Sequence, residues 1–398
     1  MAVIGAAAGQ AVINEVLFSE TTAWTCPMNC RAIVTVIGGG GAGGASYAPS
    51  VGHCILTGGG GAGGVAKSLL TLSSGTSYTA TVGAGGASVS GQTIGGNGGN
   101  STFGVTGATV LMTANYGSGG AKAANNQLDS CAGGAGGAAT TDGNIFNAAG
   151  GAGGAAACTA GSFSGYHLGA GGGGSAGIFG LGYRGGNATL SGGGYQKTAC
   201  GGGAGVGGEG GDADAQDSSG NNLQVTAIGG TMFGKGWSPS STTHKYAGTT
   251  TEAYQEPGVA NYDYTFRGLY GQYSDDGGTY TDIVWNLMQG QGNSIFDGLI
   301  GSSWNATITN GRFAAGPGAG GQGYSYPSSY KQANVMGGLF GGAGGGATAA
   351  TSGSITYGGQ GSFGAGGGGA SAYYATAPYS VSGSGGSGLV VISIVEYL

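Results

Sequence analysis

The side chains best suited to acid–base chemistry lie in one stretch: Glu252, Glu256, Asp263, Asp275, Asp276 and Asp282. Two carboxylates at the right separation can cleave a glycosidic bond. Nothing in the spacing selects which two would converge, so the six read as solvated loop charges; no catalytic residue is assigned and no enzymatic activity is expected. Glu209, Asp212, Asp214 and Asp217 could offer oxygen ligands to calcium, but their spacing departs from the D-x-[DN]-x-[DN]-G loop. Asp212, Asp214 and Asp217 are therefore weak calcium candidates, and no metal or cofactor is expected. Gly39, Gly41 and Gly44 follow the apolar run Ile33–Ile37 in the spacing of a dinucleotide fingerprint, which needs a helix and a later acidic residue. Pro49 and a second glycine run at Gly58 follow instead. Gly234-Lys235-Gly236 lacks the hydroxyl residue of a phosphate loop.

The cysteines are Cys26, Cys30, Cys54, Cys131, Cys158 and Cys200. Zinc would want C-x-x-C pairs or nearby histidines, whereas the one close pair is C-x-x-x-C and His53, His167 and His244 are scattered. Two disulfides are candidates. Cys26 and Cys30, flanking Pro27-Met28-Asn29, could close a small local loop. Cys131 and Cys158 flank two AGGAGGAA phrases, and an antiparallel hairpin of those phrases sets one opposite the other. The alternative is buried thiols, since assembly in a reducing cytosol disfavours disulfides until the protein leaves the cell.

A third group suits recognition. Tyr246, Tyr254, Tyr262, Tyr264, Tyr270, Tyr273 and Tyr280 lie in an aromatic stretch with Trp237, Trp285 and Trp304. Tyrosine and tryptophan give stiff contact area with a polar tip. The tyrosines are the receptor-contact candidates, while Trp285 and Trp304 are expected to fill a small core.

What must position these residues is unusual in composition. Glycine makes up 102 of 398 residues, proline only 7, and charged residues 7 %. Collagen is excluded by the scarcity of proline, and charge-driven disorder by the scarcity of charge. With ten Lys and Arg and a net charge of −6, nucleic-acid binding is not expected. No apolar stretch is long enough for a membrane span, and the N-terminus lacks the basic start of a secretory signal.

The glycines come as Gly-Gly-X phrases at Gly38–Gly44, Gly58–Gly64, Gly95–Asn100, Ala132–Ala155, Gly202–Gly211, Gly318–Gly323 and Gly341–Ala347. A polyproline-II-like helix has 3 residues per turn, rises about 3.1 Å per residue and makes no internal hydrogen bond. Its donors and acceptors must pair with neighbours. Two bare sides per turn allow such rods, roughly 20–35 Å long, to approach and bond through their backbones while every third residue points outward. The expected fold is mostly irregular and all-β, with little or no α-helix: a bundle of packed polyglycine-II helices, flanking strands and one aromatic-rich insertion. Ile33–Ile37, Val65–Leu72, Tyr78–Val82 and Leu389–Tyr397 read as strands, with Ser101–Val105 and Thr109–Thr113 as weaker ones. Ile33–Ile37 and Val390–Val395 could pair to close a base. Along the chain, residues 1–30 form an N-terminal docking segment and 31–221 the first part of the body. Residues 222–312 are the insertion and candidate distal contact region, and 313–398 the return, ending in the closing strand 389–397.

The opening W-T-C-P and IVTVIGGGGAGG, the later YTATVGAGG and GGNGGNSTFG, and the terminal GGSGLVVISIVEYL carry a resemblance. They resemble the glycine-rich domain of bacteriophage tail-fibre and related virion proteins, and are similar to the polyglycine-II tip adhesins of T-even-type phages. The likeness covers roughly residues 24–222 and 312–398. It implies a virion protein of the tail fibre or fibre tip, assembled in the host cytoplasm and held to other virion proteins by its N-terminal segment. It also implies loops offered to a bacterial surface receptor, protein or polysaccharide, and makes a homotrimer an expectation. The alternative is a structural component of baseplate, tail or capsid surface.

Overall fold

The structure, a computed structural model, describes residues 15–48, 54–125, 129–158, 166–176, 181–190, 196–200, 202–203, 205, 208–215, 223–226, 324–326, 340–348, 356–373 and 380–398. There is no helix of the α type among them.

Two antiparallel sheets form a base. The first has the order Glu15–Phe18, Leu389–Tyr397, Cys30–Ile37, Val65–Leu72 and Phe146–Ala148. The second runs Thr22–Thr25, Ser77–Thr81, Ser101–Val105 and Val110–Ala114. Their β-branched and aromatic residues supply the core between them, with Val34, Val36, Leu72, Tyr78, Phe103, Met112, Val390 and Ile392 buried. Each large side chain so buried contributes about 1.5–3 kcal/mol. Tyr78 stacks on Phe103 with ring centroids 5.4 Å apart. The closing strand pairs with Cys30–Ile37 as expected, Val390 opposite Val36 and Ile392 opposite Val34, with a bulge between Ile394 and Glu396. Residues 15–30 are built into this base, giving each sheet an edge strand.

Cys30–Ile37 continues directly into the first glycine rod. There the hydrogen bonds change direction at each residue. Gly38, Gly41 and Gly44 donate to the carbonyls of Gly64, Gly61 and Gly58; Gly39 and Ala42 to Gly99 and Gly96; Gly40 and Gly43 to Gly386 and Gly383. Three directions repeating every third residue are the mark of a three-residue turn. The carbonyls of the same rod accept from Gly117, Gly86 and Gly367, so it is surrounded by other rods. Gly58–Gly64 repeats the pattern, donating to 115–121, to 151–154 and to 364–367. A Cβ on Gly40 would fall on the carbonyl of Ala365, and one on Gly43 on that of Gly368. Absent side chains are thus a condition of the packing.

The outward third residue holds only at the surface. In Ala132–Ala138 the exposed residues are Ala132, Ala135 and Ala138, while Gly134 and Gly137 are buried and donate to Gly59 and Ala62. In the inner rods the expectation is corrected: Ala42, Ala62 and Ala365 are fully buried, because rods close round them on every side. Where the bundle ends, side-chain oxygens take the place of the missing rod. Asn100 accepts from the Tyr116 N–H at 3.0 Å, Asn97 from Gly119 at 2.8 Å and Asn187 from Ala155 at 2.9 Å.

Beyond the rods, about 20 Å from the base by their rise, lie smaller sheets. One has the order Lys122–Asn125, Cys54–Thr57, Tyr166–Gly169, Gln196–Ala199, Leu223–Thr226; another Asp129–Cys131, Ala156–Cys158, Ala188–Leu190, Ala213–Ala215; a third Tyr324–Tyr326, Gly346–Thr348, Ala370–Tyr373, Ala45–Ala48; a last pairs Thr356–Tyr357 with Ser380–Val381.

Candidate functional site

Most rods that leave the base deliver a strand to this far end, and the next strand brings the chain back; Gly83–Gly86 delivers the turn 87–94 instead. Residues 49–53, 126–128, 159–165, 191–195, 216–222, 349–355 and 374–379 each join two strands that end there. The two ends of the described chain, Glu15 and Leu398, lie in the base. The base has turns of its own at 73–76 and 106–109, so the two ends differ in that one holds the first and last described strands and the other the strands that these seven connections join. The one fully described crossover at the far end is 87–94. Its turn is held by Gly91 at φ 77°, by Gln92 Nε2 donating to the Tyr47 carbonyl at 2.8 Å and by Thr93 Oγ1 donating to the Ser90 carbonyl at 3.0 Å. Positive φ is a conformation glycine adopts without strain. Ile94 stands 59 % exposed beside it.

The receptor-contact candidates Tyr246, Tyr254, Tyr262, Tyr264, Tyr270, Tyr273 and Tyr280 lie outside the described residues. Leu223–Thr226, read from sequence as the start of the insertion, is still a strand of the body. It runs parallel to Gln196–Ala199, whose chain goes on toward the base, and Tyr324–Tyr326 runs parallel to Gly346–Thr348, which a rod has just brought from the base. The chain leaves Thr226 heading for the base and returns at Tyr324 heading away from it.

The cysteines fall into two groups, and all six are buried thiols. Cys54, Cys131, Cys158 and Cys200 share one apolar cluster at the far end with Leu56, Leu168 and Leu190. The two AGGAGGAA phrases are antiparallel, as expected, but in a different register. Cys131 stands opposite Ala156 and Cys158 opposite Asp129, which corrects the reading that set Cys131 opposite Cys158. The Cys200 thiol donates to the Asn187 carbonyl at 2.9 Å, and burial pushes its pKa well above the ordinary thiol range. Cys26 and Cys30 lie in the base with sulfurs 3.7 Å apart. Burial, then the hydrogen bond with Cys26, push the Cys30 thiol up to about 12.

Of the calcium candidates, Asp212 accepts from Arg184 at 3.2 Å and from the Asn187 N–H at 2.7 Å. Arg184 also pairs with Glu209 at 2.9 Å. Burial pulls the Arg184 pKa down, but the bond to Glu209 and the charge of Asp212 outweigh it and leave it raised. These side chains stand at third positions of adjacent outer rods and clip them together. Asp214 lies in Ala213–Ala215, its backbone opposite Thr189; Asp217 lies outside the described residues. Among the described residues, no three His, Cys, Asp or Glu side chains converge as a metal site.

A family model described as a glycine-rich domain matches residues 17–236, more than half of the chain. The chain belongs to this glycine-rich domain family. The match takes in the Thr22–Thr25 and Cys30–Ile37 strands, the inner rods 38–44 and 58–64, and most far-end crossovers. No curated protein matches the chain significantly. What sequence reasoning missed in this glycine-rich domain is the gathering of the crossovers at one end. The signal was there, since nearly every glycine run is bounded on one side by a polar segment flanked by short strands.

Proposed function

We propose that this glycine-rich domain protein is a bacteriophage virion protein of the tail fibre or fibre tip. Its base faces the particle, and its far end is offered to a surface receptor on the bacterium, protein or polysaccharide. The observation that carries the reading is the polarity just described: the first and last described strands at one end, and at the other the strands that seven connections join. A frame whose inner backbone donors are all engaged fixes the ends of each crossover before contact, so less ordering entropy is lost on binding. Connections held on a rigid scaffold are where recognition usually sits. The protein acts by binding, without catalysis. The test is adsorption. Purified chain should bind bacteria that propagate the encoding phage in a saturable way and compete with the phage for them. Replacing 159–165 and 191–195 by Gly-Ser linkers of equal length should abolish both effects while leaving the melting temperature unchanged. Wild-type chain that neither binds nor competes would refute the proposal.

The heading of the chain at Thr226 favours a second reading. An excursion that sets off toward the base suits contact with another virion protein, making the chain a structural part of baseplate, tail or capsid surface. Labelling in intact particles separates the two: antibody against 159–165 decorates the particle's extremity if the chain is an adhesin.

A further inference from the structure

We propose that Cys26 and Cys30 are a disulfide-forming pair that closes when the protein meets an oxidant, and that the four far-end cysteines are not. The segment Cys26–Cys30 is pinned from all sides. The Cys26 N–H donates to the Thr76 carbonyl at 3.0 Å, and the Cys26 carbonyl accepts from Gly75 at 2.8 Å. Ser74 donates its N–H to Asn29 Oδ1 at 2.8 Å and its hydroxyl to the Pro27 carbonyl at 3.2 Å. The Asn29 carbonyl accepts from Leu398 at 2.8 Å. Within that fixed loop the two sulfurs lie 3.7 Å apart, whereas a disulfide is about 2.05 Å long. Rotation of the two side chains can close the gap while the backbone stays bonded. The Cys26 thiol donates to the Met28 carbonyl at 3.0 Å, a contact the bond would replace.

The far-end cluster differs. Cys131 and Cys158 each face a residue other than cysteine across their strand pair, Cys54 faces Asn125 and Tyr166, and the Cys200 thiol is held to a carbonyl. No two of these four are partners across a strand pair, whereas the sulfurs of Cys26 and Cys30 are in contact.

The step balances with a small azo oxidant such as diamide. The two thiols give up two protons and two electrons, the azo nitrogens take them to become a hydrazine, and one S–S bond forms. A small disulfide in the surroundings does the same by exchange and is released as two thiols. Reaction needs a thiolate, and burial and the hydrogen bond with Cys26 raise the Cys30 pKa, so closure is favoured by higher pH.

The experiment treats native full-length chain with diamide at pH 7, 8 and 9, unfolds it, alkylates remaining thiols and maps peptides by mass. The expected product has lost the mass of two hydrogens from the peptide spanning Cys26 and Cys30, with Cys54, Cys131, Cys158 and Cys200 alkylated, and forms faster at each higher pH. Six alkylated cysteines after a treatment that oxidises the unfolded chain would overturn the proposal, as would a bond mapped to the far-end cluster.

Discussion

Inner and outer rods share one local conformation but differ in what their third residues do. In Gly38–Gly44 and Gly58–Gly64 the only side chains are Ala42 and Ala62, both fully buried. In Ala132–Ala138 three alanines face solvent, and in Gly95–Asn100 the third residues are asparagines that bond neighbouring rods. The lesson is that Gly-Gly-X specifies a rod, while the identity of X and its place in the row decide whether the rod is inside or at the rim. Each inner rod has room for a single methyl, at Ala42 or Ala62; one turn earlier, a Cβ on Gly39 or Gly59 would fall on the carbonyl of Ala84 or Gly171.

The most direct way to break the comparison is to put a side chain inside. Gly40→Val should abolish folding, a loss above about 4 kcal/mol, because its Cβ would overlap the Ala365 carbonyl; thermal melting and protease resistance would report it. An unchanged melt would refute backbone-on-backbone packing as the source of cohesion.

A smaller effect tests the junction between rods and base. Phe340 is buried beside Phe363, Ile37 and Leu389 at φ 66°, a left-handed conformation that side chains resist. Phe340→Ala should cost about 3–5 kcal/mol through the cavity. Phe340→Gly should be milder than the alanine variant by about 1 kcal/mol, since it relieves the backbone strain. Equilibrium denaturation of the pair checks the order, the reverse of the usual one.

At the rim, Asn100→Ala leaves the Tyr116 N–H without its acceptor and should cost about 1 kcal/mol. Arg184→Met removes a clip with partners 42 % and 30 % exposed, so a loss of no more than about 1 kcal/mol, shrinking in high salt, is expected. Smallest of all, Ala135→Ser on the exposed face should change stability by less than about 0.5 kcal/mol. An Ala135→Ser cost near that of Gly40→Val would erase the distinction between rods.

The β-branched runs Ile33–Ile37, Val65–Leu72 and Leu389–Tyr397 announced their strands, because apolar side chains carry the information that places a strand. The rods were legible from their period. Their neighbours were not: backbone-to-backbone bonds are the same whichever glycines make them, so nothing in the letters pairs Gly40 with Gly386 or Gly59 with Gly154. For the same reason Cys131 and Cys158 were read in the wrong register. The edge asparagines were visible as GGNGGN, but their role depends on which rods lie outermost, a property of the whole bundle. The tyrosines between 246 and 280 are conspicuous in the letters and lie outside the described residues. The crossovers, polar and short, came to light only with the topology.

Cys30–Ile37 passes into Gly38–Gly44 without a turn, and Gly58–Gly64 passes likewise into Val65–Leu72. A pull along this axis loads many backbone hydrogen bonds between rods in shear at once and gives them no single bond at which to unzip. Stretched between its far end and Leu398 by a force probe, the molecule should yield in one abrupt rupture; a staircase of small extensions would mean that the rods slip past one another singly.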